Sequence, residues 1–177
     1  AIHIEQNLIK EAVGSQDQVA AAFGGLNHIQ FKKDGSFEVH PMTIAPERRE
    51  NLNAHVLLLF TGLQRNAFEV EQDKISKITS HSEDLAAIRR YVDSAIDLLN
   101  SNCDIREFGQ LLHETWLRKR NLSERVSSDS IDALYETGRK NGAIGVKLLG
   151  AGGGGFIMFF VPPEKKATVV KSLPGLI

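Results

Sequence analysis

The sequence lacks the marks of secreted, disulfide-bonded and membrane-spanning proteins. Its single cysteine, Cys103, cannot form an internal disulfide. No apolar run approaches the roughly 18 residues of a membrane-spanning helix, and the N-terminus has no charged-then-apolar leader. Basic residues form no long run and the net charge is −1, so we expect neither nucleic acid nor membrane as a partner. These absences favour a cytoplasmic protein.

The remaining composition is that of a globular protein. Its 177 residues suit one ordinary domain or two small ones, and 42% hydrophobic with 24% charged residues can build a core. The first residue is not Met, and an apolar helical rhythm over residues 2–12 begins at Ala1 without a cap. We therefore expect this sequence to be cut from a longer one.

A glycine-rich loop is the most informative segment. Gly152 to Gly155 are consecutive glycines, and the apolar run 156–161 follows them directly. Backbone without side chains can approach a ligand closely, and uncovered amide groups can converge on a phosphate, with Lys147 as a nearby countercharge. A tight connection between two strands is an equally good interpretation from this run alone.

A second segment of interest contains Asp17. Gly14 ends a predicted helix, and Asp17 follows between Gln16 and Gln18, ahead of a stretch of alanines. A carboxylate at the tip of a helix could act as a general base or orient a ligand. The alternative is that Asp17 is the N-cap of a helix that starts at Gln18.

The pattern along the chain predicts an α+β fold, with helices packed on one face of a mainly antiparallel sheet. Residues 26–42 alternate as a β-hairpin, and 54–60 form a continuous apolar run typical of a buried strand. Apolar spacing and cap signals predict the helices. The predicted helices lie at 2–12, after Pro46, at about 65–78, 82–100, 104–121 and 128–141, and after Pro163; further strands lie near Gly145 and at 156–161.

Four segments, in this order, resemble the GHMP small-molecule kinases. They are Gly-x-Gln-Asp-Gln-x-Ala-Ala-Ala-Phe-Gly-Gly at 14–25, Phe60-Thr61-Gly62 with Arg65, His113-Glu114-Thr115-Trp116 with Lys119-Arg120, and Lys147 to Gly155. The likeness runs over about residues 1–173. It implies the end of the family's N-terminal domain at 1–45, comprising a helix, the aspartate segment and the hairpin, and the GHMP kinase C-terminal domain at 46–177.

The resemblance implies ATP-dependent phosphorylation of an anomeric hydroxyl, most closely that of a heptose 7-phosphate. In such kinases an Asp followed by Gln activates the acceptor hydroxyl, and Asp17 matches it. A glutamate upstream helps to hold Mg²⁺, and Glu5, twelve residues before Asp17, matches that position. Oxygen ligands suit Mg²⁺, which bridges the phosphates of ATP.

The resemblance also implies binding residues. The loop of Gly150, Ala151, Gly152, Gly153, Gly154 and Gly155 packs beside the nucleotide phosphates. A phosphorylated sugar needs cations at its far end, and the candidates are Arg65, Lys119 and Arg120. A solvated helix face is the alternative for Lys119 and Arg120. His113-Glu114 does not begin a zinc-binding helix, since Leu117 stands where a second histidine is required.

One departure from the family is large. Its main phosphate-binding loop, of the type Pro-x-x-x-Gly-Leu-Gly-Ser-Ser, does not occur in this sequence. We therefore expect weak or no turnover from this chain alone, because phosphoryl transfer depends on positioning and charge stabilisation. Two alternatives stay open: a binding or assembly module that pairs with an N-terminal half or with itself, and a kinase for galactose, fucose or arabinose.

Overall fold

The computed structural model describes residues 1–11, 13–62, 72–73, 75–150 and 152–173. Arg65, Ala151 and most of the helix predicted at 65–78 lie outside these ranges.

The helices are α1 (Gln16–Phe23), α2 (Pro46–His55), α3 (Ser82–Asn100), α4 (Arg106–Asn121), α5 (Asp129–Lys140) and α6 (Lys166–Ser172). The strands are β1 (Asn27–Phe31), β2 (Phe37–Pro41), β3 (Val56–Phe60), β4 (Gly145–Leu148) and β5 (Phe156–Phe160). Within the described ranges, no helix combines the length and hydrophobicity needed to cross a membrane.

The N-terminal part consists of two helical segments and a hairpin. Ile4–Ile9 is a π-helix, which ends at Lys10 in the left-handed conformation with φ of 60°. After α1, strands β1 and β2 pair antiparallel from Asn27 opposite Pro41 to Phe31 opposite Phe37. The turn between them closes on Asp34, whose carboxylate accepts hydrogen bonds from the amide and hydroxyl of Ser36. The hairpin predicted over 26–42 is confirmed.

The second sheet has three strands in the order β3-β5-β4, and all pairs are antiparallel. Strand β5 lies in the middle, with Phe60 of β3 opposite Phe156 and Leu148 of β4 opposite Ile157. Both predicted apolar runs are therefore strands of one sheet. The α+β class with a mainly antiparallel sheet is confirmed.

Neighbouring residues of β5 pack against different helices. The ring of Phe159 lies against Gly138 of α5, while the ring of Phe160 lies 2.6 Å from the position that a Cβ atom would take at Gly109 of α4. Because successive side chains of a strand point to opposite faces, helices cover both faces at this end of the sheet. The sequence pattern predicted helices on one face only. Each face has its own apolar cluster, and both Phe side chains are fully buried.

Candidate active site

Asp17 lies in the first turn of α1. The helix begins at Gln16 with Ser15 at the cap position, so the alternative that Asp17 caps a helix starting at Gln18 is wrong. The carboxylate of Asp17 is exposed and makes no hydrogen bond or ion pair with any described residue. A negative charge near the start of a helix is favoured by the helix dipole. The side chain is thus free to meet a ligand.

Glu5 and Gln18 contact each other beside Asp17. The Nε2 atom of Gln18 donates a hydrogen bond to Oε2 of Glu5. The other polar atom of Gln18, Oε1, is buried and has no partner among the described residues. The structure therefore brings the predicted metal ligand to the residue that follows the predicted base.

Backbone and side-chain hydrogen bonds among residues 5–11 and 13–15 bring Glu5 and Gln18 together. The backbone oxygen of Glu5 accepts the amides of Lys10 and of Glu11, the latter at 2.9 Å, and so closes the wide π-helical turn. Gln6 then uses its Nε2 atom to donate to the Val13 oxygen at 2.9 Å and to the Ser15 hydroxyl at 3.1 Å. The chain is turned back at Lys10, and α1 starts where Gln18 can meet Glu5. Such π segments occur often at functional sites.

The glycine loop between β4 and β5 is held at fixed points. The amide of Gly153 donates to the oxygen of Val126 at 3.0 Å. The oxygen of Gly155 accepts from both the amide and the hydroxyl of Thr61, at 2.8 Å each. A Cβ atom at Gly152, where φ is 120°, would lie 2.9 Å from the Cα and oxygen atoms of Val126. Only glycine fits this position without displacing backbone.

The same loop leaves amide groups available. Over the described part of the loop, the amides of Gly152, Gly154 and Gly155 donate no hydrogen bond. The φ angles of Gly150, Gly152, Gly153 and Gly155 are all positive. Uncovered amides in a left-handed turn make a concave site for an anion. No hydrogen bond or ion pair between described residues joins this loop to the Asp17 segment.

The two predicted substrate cations that the structure describes, Lys119 and Arg120, lie in different settings. Lys119, near the end of α4, donates from Nζ to the oxygen of Gly150 at 2.5 Å and so lies at the mouth of the glycine loop. Arg120 instead faces α5, with NH1 3.4 Å from Oδ1 of Asp132 and its guanidinium 5.8 Å from the centre of the Tyr135 ring. Arg65 is outside the described residues. The structure groups Lys119 with the loop and Arg120 with a helix contact.

Lys147 precedes the loop on β4. Burial lowers the pKa of its ammonium group, because the charged form loses hydration there. A lysine in this setting costs stability at neutral pH, because its charged form is disfavoured by burial.

We expect Lys147→Met to raise the free energy of unfolding at pH 7, since a thioether carries no charge to desolvate. The lowered pKa fixes the sign with pH: the gain should fade as pH rises towards the ordinary lysine range, where the wild-type side chain is neutral in both folded and unfolded states. Urea titrations at pH 7 and pH 10 measure it. Loss of stability at pH 7 would contradict this interpretation.

His113 has a structural partner. Its Nδ1 atom lies 2.6 Å from the hydroxyl of Tyr135, and the two rings stack with centroids 5.9 Å apart. Burial, followed by the charge of Arg139, lowers the pKa of His113, and burial raises the pKa of Tyr135. The phenol therefore donates to a neutral imidazole. No group of three or more His, Cys, Asp or Glu side chains that could hold a metal ion occurs among the described residues.

This pair predicts a pH dependence of stability. Because the folded-state pKa of His113 is lowered, its contribution is complete above the unfolded pKa of about 6.5 and declines as pH falls below it. We expect His113→Gln to flatten the fall in unfolding free energy between pH 7 and pH 5. His3→Gln, at an exposed position, is the control. Identical pH slopes in all three proteins would contradict the prediction.

Sequence reasoning missed Gln18, Thr61 and Val126 as site residues. Gln18 and Thr61 lie in two of the segments that resemble the kinase family, but no pattern in the sequence assigned them a role. The signal for Thr61 is register: a strand residue just past Phe60 must lie opposite the residue before Phe156, which is Gly155. Val126 carries no such signal, because it acts through its backbone oxygen.

The fold and loop define an α+β domain in which a glycine-rich loop joins two antiparallel strands, β4 and β5. Residues 95–174 match the family model described as GHMP kinases C terminal. These residues form a GHMP kinase C-terminal domain, and the resemblance seen in the sequence is confirmed.

Individual relatives agree with this assignment. The chain is 34% identical over 175 residues to a D-glycero-alpha-D-manno-heptose 7-phosphate kinase of Campylobacter jejuni, covering 98% of this chain and 51% of that protein. It is 27% identical over 158 residues to a bifunctional fucokinase/GDP-fucose pyrophosphorylase of Arabidopsis thaliana, covering 84% of this chain and 14% of that protein. The chain thus spans about half the length of the first relative and 14% of the length of the second.

A solved structure shows the same fold. A D-glycero-D-manno-heptose 1-phosphate kinase from Bacteroides thetaiotaomicron superposes with a TM-score of 0.72 at 25% identity. The match covers 99% of this chain and 48% of that one.

Proposed function

We propose that this chain forms part of an ATP-dependent sugar kinase that phosphorylates the anomeric hydroxyl of a heptose 7-phosphate or a similar sugar. The observation that carries the proposal is the glycine loop, whose ends are held by Thr61 and Lys119 while three of its amides make no hydrogen bond to any described residue. The 34% identity to a heptose 7-phosphate kinase supports the acceptor class. We place the protein in the cytoplasm.

In this proposal Asp17 is the general base. Its exposed carboxylate has no partner to displace among the residues that the structure describes, and it accepts the proton of the sugar hydroxyl as that oxygen attacks the γ-phosphorus of ATP. The bond to the bridging oxygen breaks and ADP leaves. The free amides of Gly152, Gly154 and Gly155 bind the phosphate oxygens, and Lys147 adds positive charge behind them.

Mg²⁺ fits the oxygen atoms beside Asp17. Mg²⁺ is usually held by one or two carboxylates together with nucleotide phosphates and water, so a single glutamate suffices. Glu5, which Gln18 orients, would supply that carboxylate. The ion, when bound, offsets the charge that develops on the phosphates.

The remaining cations are proposed to hold the phosphate of the sugar. Lys119 already lies at the loop mouth, and its partner there, the Gly150 oxygen, is exposed backbone that water can replace. Arg120 would have to leave Asp132 to reach a ligand, so we rank it below Lys119. Arg65 completes the proposed set. A fucokinase among the relatives favours, as second candidate, an acceptor without phosphate.

An assembly role is the non-enzymatic candidate. Several large apolar side chains of the N-terminal part are exposed, among them Leu8 at 66%, Ile9 at 59% and Phe23 at 58%. Exposed apolar surface of this kind marks a contact with another polypeptide. The proposed partner is an N-terminal half of the kinase fold or a second copy of this chain.

The decisive experiment is an ADP-release assay with Mg·ATP and a panel of sugars. The panel contains heptose 7-phosphate, galactose, fucose and arabinose, and both this chain and the full-length polypeptide are tested. We expect turnover with the phosphorylated heptose from the full-length protein and little from the chain alone. Absence of turnover with every sugar would reject the kinase proposal, and sedimentation of this chain as a partnered species would favour assembly.

A further inference from the structure

The geometry points to Gln18 as a positioning residue for the metal-binding oxygen atoms. We propose that its Nε2 atom fixes the carboxylate of Glu5 and that its Oε1 atom accepts a hydrogen bond from a water molecule bound to the Mg²⁺ ion. This inference rests on the proposed function, because it concerns the same site. It adds a residue to which neither the sequence patterns nor the relatives assign a role.

The orientation of the Gln18 amide is fixed by chemistry. A carboxylate oxygen can only accept, so the amide atom that contacts Glu5 Oε2 must be the NH₂ group. The carbonyl oxygen is therefore the atom left over. That oxygen is buried and has no partner in the described part of the chain.

A purely structural tether would not produce this arrangement. An amide that only links α1 to the π-helix could turn its second polar atom to solvent or to a neighbouring amide. Buried acceptors without a partner are uncommon in folded proteins and call for a missing donor. Since Asp17 is adjacent in sequence and Glu5 is in contact, the missing donor belongs to whatever occupies this site.

Water bound to a divalent cation is a donor that suits the Oε1 atom of Gln18. The Nε2 atom at the other end of the same amide contacts Glu5, which is the proposed ligand of that cation. Mg²⁺ keeps several of its waters when it binds proteins, and these waters are strong hydrogen-bond donors. Groups that orient a ligating side chain typically change metal affinity about 10-fold to 100-fold when removed. Gln18 would do so twice, through the Glu5 carboxylate and through the bound water.

The test measures metal binding directly in the full-length protein. Mn²⁺ replaces Mg²⁺ as a paramagnetic probe and is titrated with a non-hydrolysable ATP analogue present, with free Mn²⁺ read by electron paramagnetic resonance. Gln18→Leu keeps the volume and removes both polar atoms, whereas Gln18→Asn keeps an amide too short to reach Glu5. Either variant is expected to weaken Mn²⁺ binding about 10-fold, with metal-free binding of the analogue unchanged.

Gln110→Leu is the matched control, because Gln110 is an exposed glutamine on α4 outside this cluster. The control should bind Mn²⁺ as the wild type does. Mn²⁺ affinity within about twofold of wild type in both Gln18 variants would overturn the inference. So would a result in which the only effect of the Gln18 substitutions is a higher KM for the sugar. Failure of the kinase proposal is seen separately, as absence of turnover by the wild-type protein while its Mn²⁺ affinity still depends on Gln18.

Discussion

Asp17→Asn is expected to lower kcat for sugar phosphorylation by at least about 100-fold in the full-length protein. An amide has nearly the same shape as the carboxylate but cannot take the proton of the acceptor hydroxyl, and general bases contribute about 10²-fold to 10⁴-fold. Because Asp17 is exposed and has no described partner, binding of nucleotide and the free energy of unfolding should stay close to wild type. The measurement is steady-state kinetics together with a urea titration.

Asp129→Asn is the control for this substitution. Asp129 is also an exposed acid in the first turn of a helix, so it shares the helix-dipole effect of Asp17 without its position. Its kcat should remain within about twofold of wild type. An Asp17→Asn enzyme that keeps more than a tenth of the wild-type kcat would remove the general base from the proposed mechanism.

Gly145→Ala is expected to lower the free energy of unfolding by about 3 kcal/mol, at the upper end of the usual cost of overpacking. A methyl group at Gly145 would overlap the backbone oxygen of Gly109 and lie 3.2 Å from the Cβ atom of Leu112. A flexible side chain could move aside, but the backbone of α4 cannot without shifting the helix. Urea unfolding followed by circular dichroism measures the loss.

Gly14→Ala provides the comparison for stability. Nothing lies within 4 Å of the position that its Cβ atom would take, and its φ angle is not positive. We expect a change below about 1 kcal/mol, stabilising if anything because alanine restricts the unfolded chain. Equal losses in the two variants would show that the contact between α4 and β4 is looser than the structure indicates.

Local signals in the sequence predicted most of the regular structure. The hairpin at 26–42 has clear alternation and is confirmed. The apolar run at 54–60 does form a strand, but only from Val56, because His55 ends α2, and Leu58 is exposed where a buried strand was predicted. The helix at 128–141 was visible from its cap: Ser128 accepts the amide of Ile131, and the helix runs over Asp129–Lys140. These features depend on residues close together in the chain.

The site was harder to predict because it depends on distant contacts. Ser15 and Asp17 are both good capping residues, and nothing local decides between them. The decision comes from Gln6, which bonds to Val13 and Ser15 and so sets where α1 begins. The sequence also could not separate the roles of Lys119 and Arg120. They are adjacent residues of α4, so a rotation of about 100° around the helix axis decides which one faces the glycine loop and which one faces α5.

The close contact between Gly109 and Gly145 has a consequence at the other end of α4. Lys119 lies ten residues beyond Gly109, which is about 15 Å along a helix. With no side chain to act as a cushion at the glycine contact, α4 has little room to slide or roll on β4. The position of the Lys119 ammonium relative to the Gly150 oxygen therefore depends on a contact almost three turns away. A methyl group added at that contact would shift the lysine charge beside the proposed phosphate-binding loop.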